Sequence, residues 1–216
     1  MDGIEERGKP MGCLIILEGA DASGKTTLAE AIAERVMEVE GGDVLYLHGK
    51  PWPGRVLMEH TRMIGHAGIA GRDTVVIMDH FWIAEQLYGE EYRGGGAYPP
   101  ADMDDLASDK LKGLIVLCVP MDLDAQIARH AKRRGEGKEH FETATGIVRR
   151  YADLWHGNKD KQGTGYLDAA IRGGNFKDRP DVWRFDMNVM PAKTAATYVL
   201  QRARQRRWVA KMEVGR

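Results

Sequence analysis

Gly19-Ala-Asp-Ala-Ser-Gly-Lys-Thr26, GADASGKT, stands directly behind the apolar run CLIILE (13–18). It leads into TTLAEAIAERVMEVE (26–40), whose apolar positions recur every three to four residues. The octet fits the pattern G-x-x-x-x-G-K-[ST] without a mismatch. Its setting of strand, glycine-rich loop and helix is the one in which that pattern cradles phosphate. Gly19 and Gly24 allow backbone conformations that turn loop N–H groups inward upon phosphate oxygens, and the following helix adds its positive end. Lys25 then reaches the β- and γ-phosphates, and the Thr26 hydroxyl is placed to ligate Mg²⁺. Gly19, Ala20, Asp21, Ala22, Ser23, Gly24, Lys25, Thr26 and Thr27 are therefore the expected ATP-binding residues, with ATP and Mg²⁺ the expected cofactors.

Outward from the loop, apolar runs alternate with helical patterns. Strands are expected at 43–49, 74–79, 114–120 and 182–186. Helices are expected around 54–67, 81–92, 101–111, 122–133, 141–155 and from 192 to the end. Near-continuous apolar strands alternating with helices argue for a parallel sheet covered on both faces, hence an α/β chain. The 216 residues suit one domain, 1–216. No apolar run approaches the length of a membrane span. The charged start MDGIEERGKPMG has no apolar signal core, so the expectation is a cytoplasmic protein with no membrane partner. Cys13 and Cys118 lie inside apolar strands and read as core residues. Charge is uneven: residues 1–120 carry 11 Lys and Arg against 20 Asp and Glu, whereas residues 121–216 carry 20 against 12. Such polarity fits either a basic face for a polyanion or ordinary solvated helices.

The loop in the form ILEGADASGKTT, with Asp21 at an acidic position, resembles the thymidylate kinase family; Ala22 replaces a glycine usual there. The resemblance continues through Asp79 at the end of the third strand and a basic stretch after the fourth. It implies a P-loop nucleoside-monophosphate-kinase-like three-layer fold, a five-stranded parallel sheet in the order 2-3-1-4-5 with helices on both faces. It implies a lid at about 129–141, whose Arg129, Arg133 and Arg134 fold over the transferring phosphoryl group. Asp79 would stand near the metal with Thr26, or receive a proton from an acceptor hydroxyl. Relatives of this fold often pair, so a homodimer is a further expectation.

The family's third strand ends in Asp-Arg, and this chain has Asp79-His80. Histidine lacks the permanent forked charge of arginine, which favours a neutral hydroxyl acceptor over a charged phosphate. Arg55 or Arg62, on the helix where the family binds its acceptor, can supply the charge instead. Phe81, Trp82 and Tyr88 suggest an aromatic slot for a pyrimidine, and Trp52 a residue at its mouth. The stretch WIAEQLYGEEYRGG is similar to that of bacteriophage kinases. One phage branch of the family phosphorylates 5-hydroxymethyl-deoxyuridine in DNA, a step in thymidine hypermodification.

That branch leads the expectation here. Lys159, Lys161, Arg172, Lys177 and Arg179, with Arg202, Arg204, Arg206 and Arg207, would hold the DNA. The alternative acceptor is free dTMP or another deoxynucleoside monophosphate. A nucleotide-binding regulator without transfer activity is a third possibility, from a different class.

Overall fold

The computed structural model describes residues 12–49, 55–71, 74–95, 113–134, 138–156 and 181–205. The strands are β1 (Cys13–Glu18), β2 (Asp43–His48), β3 (Thr74–Asp79), β4 (Leu114–Cys118) and β5 (Asp181–Phe185). They form one sheet in the order β2-β3-β1-β4-β5, and every pairing is parallel. Central β1 and β4 are buried at every residue, as strands covered on both faces must be, whereas edge strand β2 is not fully buried at any position.

Alternate residues of the central strands feed two cores. Leu14, Ile16, Val76, Met78, Ile115 and Leu117 meet α2 (Val56–Ile69), α3 (Trp82–Arg93), α4 (Leu123–Arg134) and α5 (Lys138–His156). On the other face Ile15, Leu17, Val75, Ile77 and Val116 meet α1 (Lys25–Glu34) and α6 (Ala192–Gln205). Cys13 and Cys118 belong to this second core; both are buried free thiols, and burial pushes each up to about 12. Among the described residues no helix is long and apolar enough to cross a membrane.

Two element boundaries depart from the sequence reading by more than two residues. The helix expected to run unbroken to Glu40 ends at Glu34, and Arg35–Glu40 winds on as a wider π-helical segment stopped by Gly41 at φ +67°. Gly41 can adopt that conformation without a Cβ clash, which is why the turn falls there. The helix expected from about Phe141 begins at Lys138, and its Ala144, Ile147, Val148, Tyr151 and Ala152 enter the first core. The expected helix at 101–111 lies outside the described residues, as do 50–54 and 157–180.

The C-terminal ends of β1, β2 and β3 are drawn together by cross-links. Gly49 N–H donates to Asp79 O at 3.1 Å, and His80 N–H donates to Leu17 O at 3.1 Å. A Cβ on Gly49 would stand 2.8 Å from His80 O, so this close approach requires glycine. Glu18 ends β1 wholly buried. Its carboxyl accepts the N–H groups of Phe81 (3.0 Å) and Ala84 (3.2 Å) at the start of α3, and the Tyr151 hydroxyl (3.3 Å) from α5. Burial outweighs these bonds and raises Glu18 from 4.5 to about 7.

An acid whose proton is held more tightly when folded loses stability as pH rises from its unfolded value through its folded one. The cost of burying the Glu18 charge is thus absent below pH 4.5 and fully expressed above about 7. It amounts to about 3 kcal/mol. Urea midpoints measured between pH 4.5 and 8 should fall with pH in the unaltered chain and fall less steeply in Glu18→Gln. Ala22 offers a second test, since its φ of +59° is left-handed. That conformation costs an L-residue about 1–2 kcal/mol, more than the flexibility a glycine loses on folding. Ala22→Gly should raise stability by about 0.5–1 kcal/mol, and a lower urea midpoint would show that no strain is carried there.

Candidate functional site

Leaving β1, the chain turns through Gly19 at φ +151° and Gly24 at φ +93° before α1 begins at Lys25. Both glycines are required by space as well as by angle. A Cβ at Gly19 would lie 2.6 Å from Cys118 O and 2.7 Å from Ser23 Oγ, and one at Gly24 would lie 2.7 Å from Met187 Cβ. The resulting loop carries its N–H groups to the positive end of a ten-residue helix. Lys25 is buried, and its Nζ donates to Gly19 O (2.7 Å) and Ala20 O (2.8 Å), which pins the ammonium within the loop. Burial lowers the Lys25 pKa from its ordinary value, and the Asp79 carboxylate partly restores it.

The loop opens on a cavity of about 650 Å³ that also takes in the ends of β2 and β3 and α3 along its length, from Ala84 to Arg93. That volume falls in the range of small-molecule sites. Asp21 to Thr27, Asp79, His80 and Phe81 all border it, so the structure brings most of the expected phosphate-site residues together. Asp79 is 2% exposed. Its Oδ2 accepts the Tyr46 hydroxyl at 2.6 Å and lies 3.4 Å from His48 Nδ1. Its Oδ1 is buried without a hydrogen-bond partner among the described residues, as is Ser23 Oγ in the loop. Polar atoms so placed await a polar ligand. Asp79 and the exposed Thr26 hydroxyl both border the cavity and are hard oxygen donors of the kind that could hold Mg²⁺, which takes few protein ligands.

His80 holds φ +59° at the end of β3, and this turns its ring into the cavity. The ring lies edge-on to His48 and to Tyr88, each at 6.0 Å. Asp21 stands between two imidazoles: His80 Nε2 is 3.9 Å from Oδ1, and His130 Nε2 is 3.9 Å from Oδ2. The Asp21 backbone is clasped as well. Its N–H donates to the Tyr88 hydroxyl (3.1 Å) and its carbonyl accepts Gln126 Nε2 (2.6 Å). Gln126 and His130 are one helical turn apart on α4, so a single face of that helix reaches the loop. Arg129 is exposed and donates to Gln126 Oε1 at 2.9 Å, one bond removed from the loop. The side chains of Arg133 and Arg134 lie outside the described residues.

The acceptor candidates divide. Phe81 is 1% exposed and packs on His60 at 4.8 Å, so it serves the core and the cavity wall at once. Burial drives His60 down to about 4, which keeps it neutral. Arg55 is an exposed residue at the start of α2, and Arg62 is 65% exposed and paired with Glu59 at 2.9 Å. Neither borders the cavity. Trp52 and the Trp82 side chain lie outside the described residues. On the described wall the aromatic surface comes from Phe81, Tyr88 and Tyr92, the last two stacked at 6.1 Å, with the paired Glu85 and Arg93 beside them.

Sequence reading missed Tyr46, His48, Gln126 and His130. The first two sit on a strand and the last two on a helix, with no motif to mark them. The register of β2 beside β3, where His48 faces Asp79, exposes the first two, and the contacts of α4 with Asp21 expose the last two.

Of the basic residues expected to hold DNA, the two that are described, Arg202 and Arg204, do not border the cavity. Arg204 pairs with Glu40, just ahead of β2, and Arg202 covers the Trp183 ring at 5.4 Å. Arg204 therefore stands at the N-terminal end of the strands, opposite the cavity. Arg206, Arg207, Lys159, Lys161, Arg172, Lys177 and Arg179 lie outside the described residues.

The chain matches no protein-family model and no curated protein. Among solved structures it is similar to the YorR protein of Bacillus subtilis, crystallised in complex with phosphorylated GDP. The TM-score is 0.58 at 14% identity, over 88% of this chain and 95% of that one. Thymidylate kinase from Ehrlichia chaffeensis aligns at a TM-score of 0.47 and 16% identity, over 90% and 100% of the two chains. With the sheet order and the phosphate loop, the likeness to YorR establishes the fold: five parallel strands in the order 2-3-1-4-5, flanked by helices, as in P-loop kinases.

Proposed function

We propose that this protein is a nucleotide kinase, moving the γ-phosphoryl group of ATP to the phosphate of a free nucleoside monophosphate. One observation carries the proposal. A single cavity joins the phosphate loop at Asp21–Thr27 to an aromatic wall at Phe81, Tyr88 and Tyr92, with the Asp79 carboxylate between them. Donor phosphates and a flat acceptor base thus have places within reach of each other, which is most of what phosphoryl transfer asks of a protein. In the transfer an oxygen of the acceptor phosphate bonds to the γ-phosphorus as the bond to the β–γ bridging oxygen breaks, and ADP leaves with that electron pair. Loop N–H groups and Lys25 face the charge that spreads over the transferring oxygens. Arg129, Arg133 and Arg134 are proposed to close over it from α4. Mg²⁺ bound near Thr26 and Asp79 would supply further positive charge to the β- and γ-phosphates.

The loop's likeness to thymidylate kinases makes dTMP the first acceptor to try. The 5-hydroxymethyl group of DNA is the weaker candidate, because the described arginines meant for a DNA groove do not border the cavity. His80 is then a cavity-wall residue that helps seat Asp21, and a phosphate acceptor needs no base to remove a proton.

Transfer from γ-labelled ATP with Mg²⁺ should label dTMP or another deoxynucleoside monophosphate, and should leave DNA containing 5-hydroxymethyl-deoxyuridine unlabelled. Label in the DNA alone would reverse the assignment. Lys25→Ala should cut transfer by at least about 100-fold, the scale set by losing one preorganised charge at the transition state. Its urea midpoint should not fall, since the variant relinquishes a buried ammonium. Retained turnover would remove Lys25 from the chemistry.

A further inference from the structure

Asp79 is gripped on one oxygen and lacks a hydrogen-bond partner on the other among the described residues. Oδ2 accepts the Tyr46 hydroxyl at 2.6 Å, a short bond of the kind made to an ionised carboxylate, and has His48 Nδ1 at 3.4 Å. Tyr46 and His48 are two positions apart on β2, so both project from the same face of the strand. Their rings stack at 6.4 Å with 8° between planes. Oδ1, on the same carboxylate, is buried and has no hydrogen-bond partner among the described residues. A carboxylate turns easily about its last torsion, and either oxygen can then present itself to a ligand. Here the bond to Tyr46 holds the plane of the carboxylate: a half-turn merely exchanges two equivalent oxygens, but any lesser rotation would break the bond.

The Tyr46 ring is not there to fill the core. The residue is 44% exposed on an edge strand, where its hydroxyl could be satisfied by water. It reaches instead across to the neighbouring strand, to a carboxylate that is 2% exposed. We propose that Tyr46, seconded by His48, is a positioning residue that fixes the Asp79 carboxylate with Oδ1 turned to the metal-bearing phosphates of the donor. This assignment rests on the kinase reading of the cavity, and it adds a hydroxyl on β2, outside the cavity lining, that acts through Asp79.

The test is Tyr46→Phe in the full chain, which keeps the ring and removes one hydroxyl. ATP affinity is measured calorimetrically with Mg²⁺ and with EDTA, alongside kcat and KM for the nucleoside monophosphate. The expected result is unchanged affinity for metal-free ATP and a loss of about 5- to 10-fold in the tightening that Mg²⁺ brings. With it should come a fall in kcat of about 10-fold, the scale of one hydrogen bond to a charged group. KM for the acceptor should stay within about twofold. Unchanged Mg²⁺ tightening together with unchanged kcat overturns the inference while leaving the kinase function intact. A loss of metal-free ATP affinity with a lower melting temperature also overturns it, by showing that the hydroxyl serves the fold. If the unaltered protein shows neither Mg²⁺-dependent tightening nor transfer, the proposed function falls and the role of Tyr46 falls with it.

Discussion

The Glu18 carboxyl occupies the point where β1 gives way to the phosphate loop, and it is bonded at once to α3 and α5. Each partner would be an unsatisfied buried donor without it, at a cost of about 1–3 kcal/mol apiece. The arrangement explains why the cavity has fixed walls. The loop departs from Gly19, the next residue, while Phe81 and Ala84 begin the helix that carries Tyr88 and Tyr92. The Glu18 side chain, with the bond from the Asp21 N–H to the Tyr88 hydroxyl, sets the distance between the phosphate end of the cavity and its aromatic end. Burial holds Glu18 near neutrality in its pKa, so this joint is made from a group readily protonated and is not simply an ion pair with Lys25.

Around that joint the electrostatics are closely balanced. Asp21, Asp79 and Glu85 bring three carboxylates to the cavity, against Lys25 and Arg93, with His48, His60 and His80 also on its wall. Arg93 is already engaged by Glu85, and Lys25 by loop carbonyls. On the proposed function, a cavity so provisioned would suit phosphates that arrive with their own divalent cation better than bare polyanions, since the metal would offset the acids that the protein keeps in place.

Much of the fold could be read from the chain because burial on both faces leaves near-continuous apolar strands, and CLIILE, TVVIMD and LIVLC are of that type. The phosphate loop was visible because its chemistry depends on backbone freedom at Gly19 and Gly24 and on one lysine, all local in sequence. The rest of the site is assembled across the sheet. Tyr46 meets Asp79 only through strand register, and Gln126 and His130 meet Asp21 over more than a hundred positions of chain. Arg62 has a plausible address in sequence, yet its helix turns it outward toward Glu59. The basic C-terminal half, which suggested a polyanion partner, contains charges already matched by acids from the first half, as Arg204 is by Glu40.

The two cysteines have a practical consequence of their own. Cys13 opens β1 and Cys118 closes β4, so they mark opposite ends of the core beneath α1 and α6. With each thiol pushed up to about 12 by burial, almost none is thiolate at neutral pH, and thiolate is the reactive form. Alkylating reagents should therefore pass over the folded chain and capture it only when those strands part from their helices. The chain carries in this pair its own clock for how often the half of the protein beneath the phosphate loop comes open.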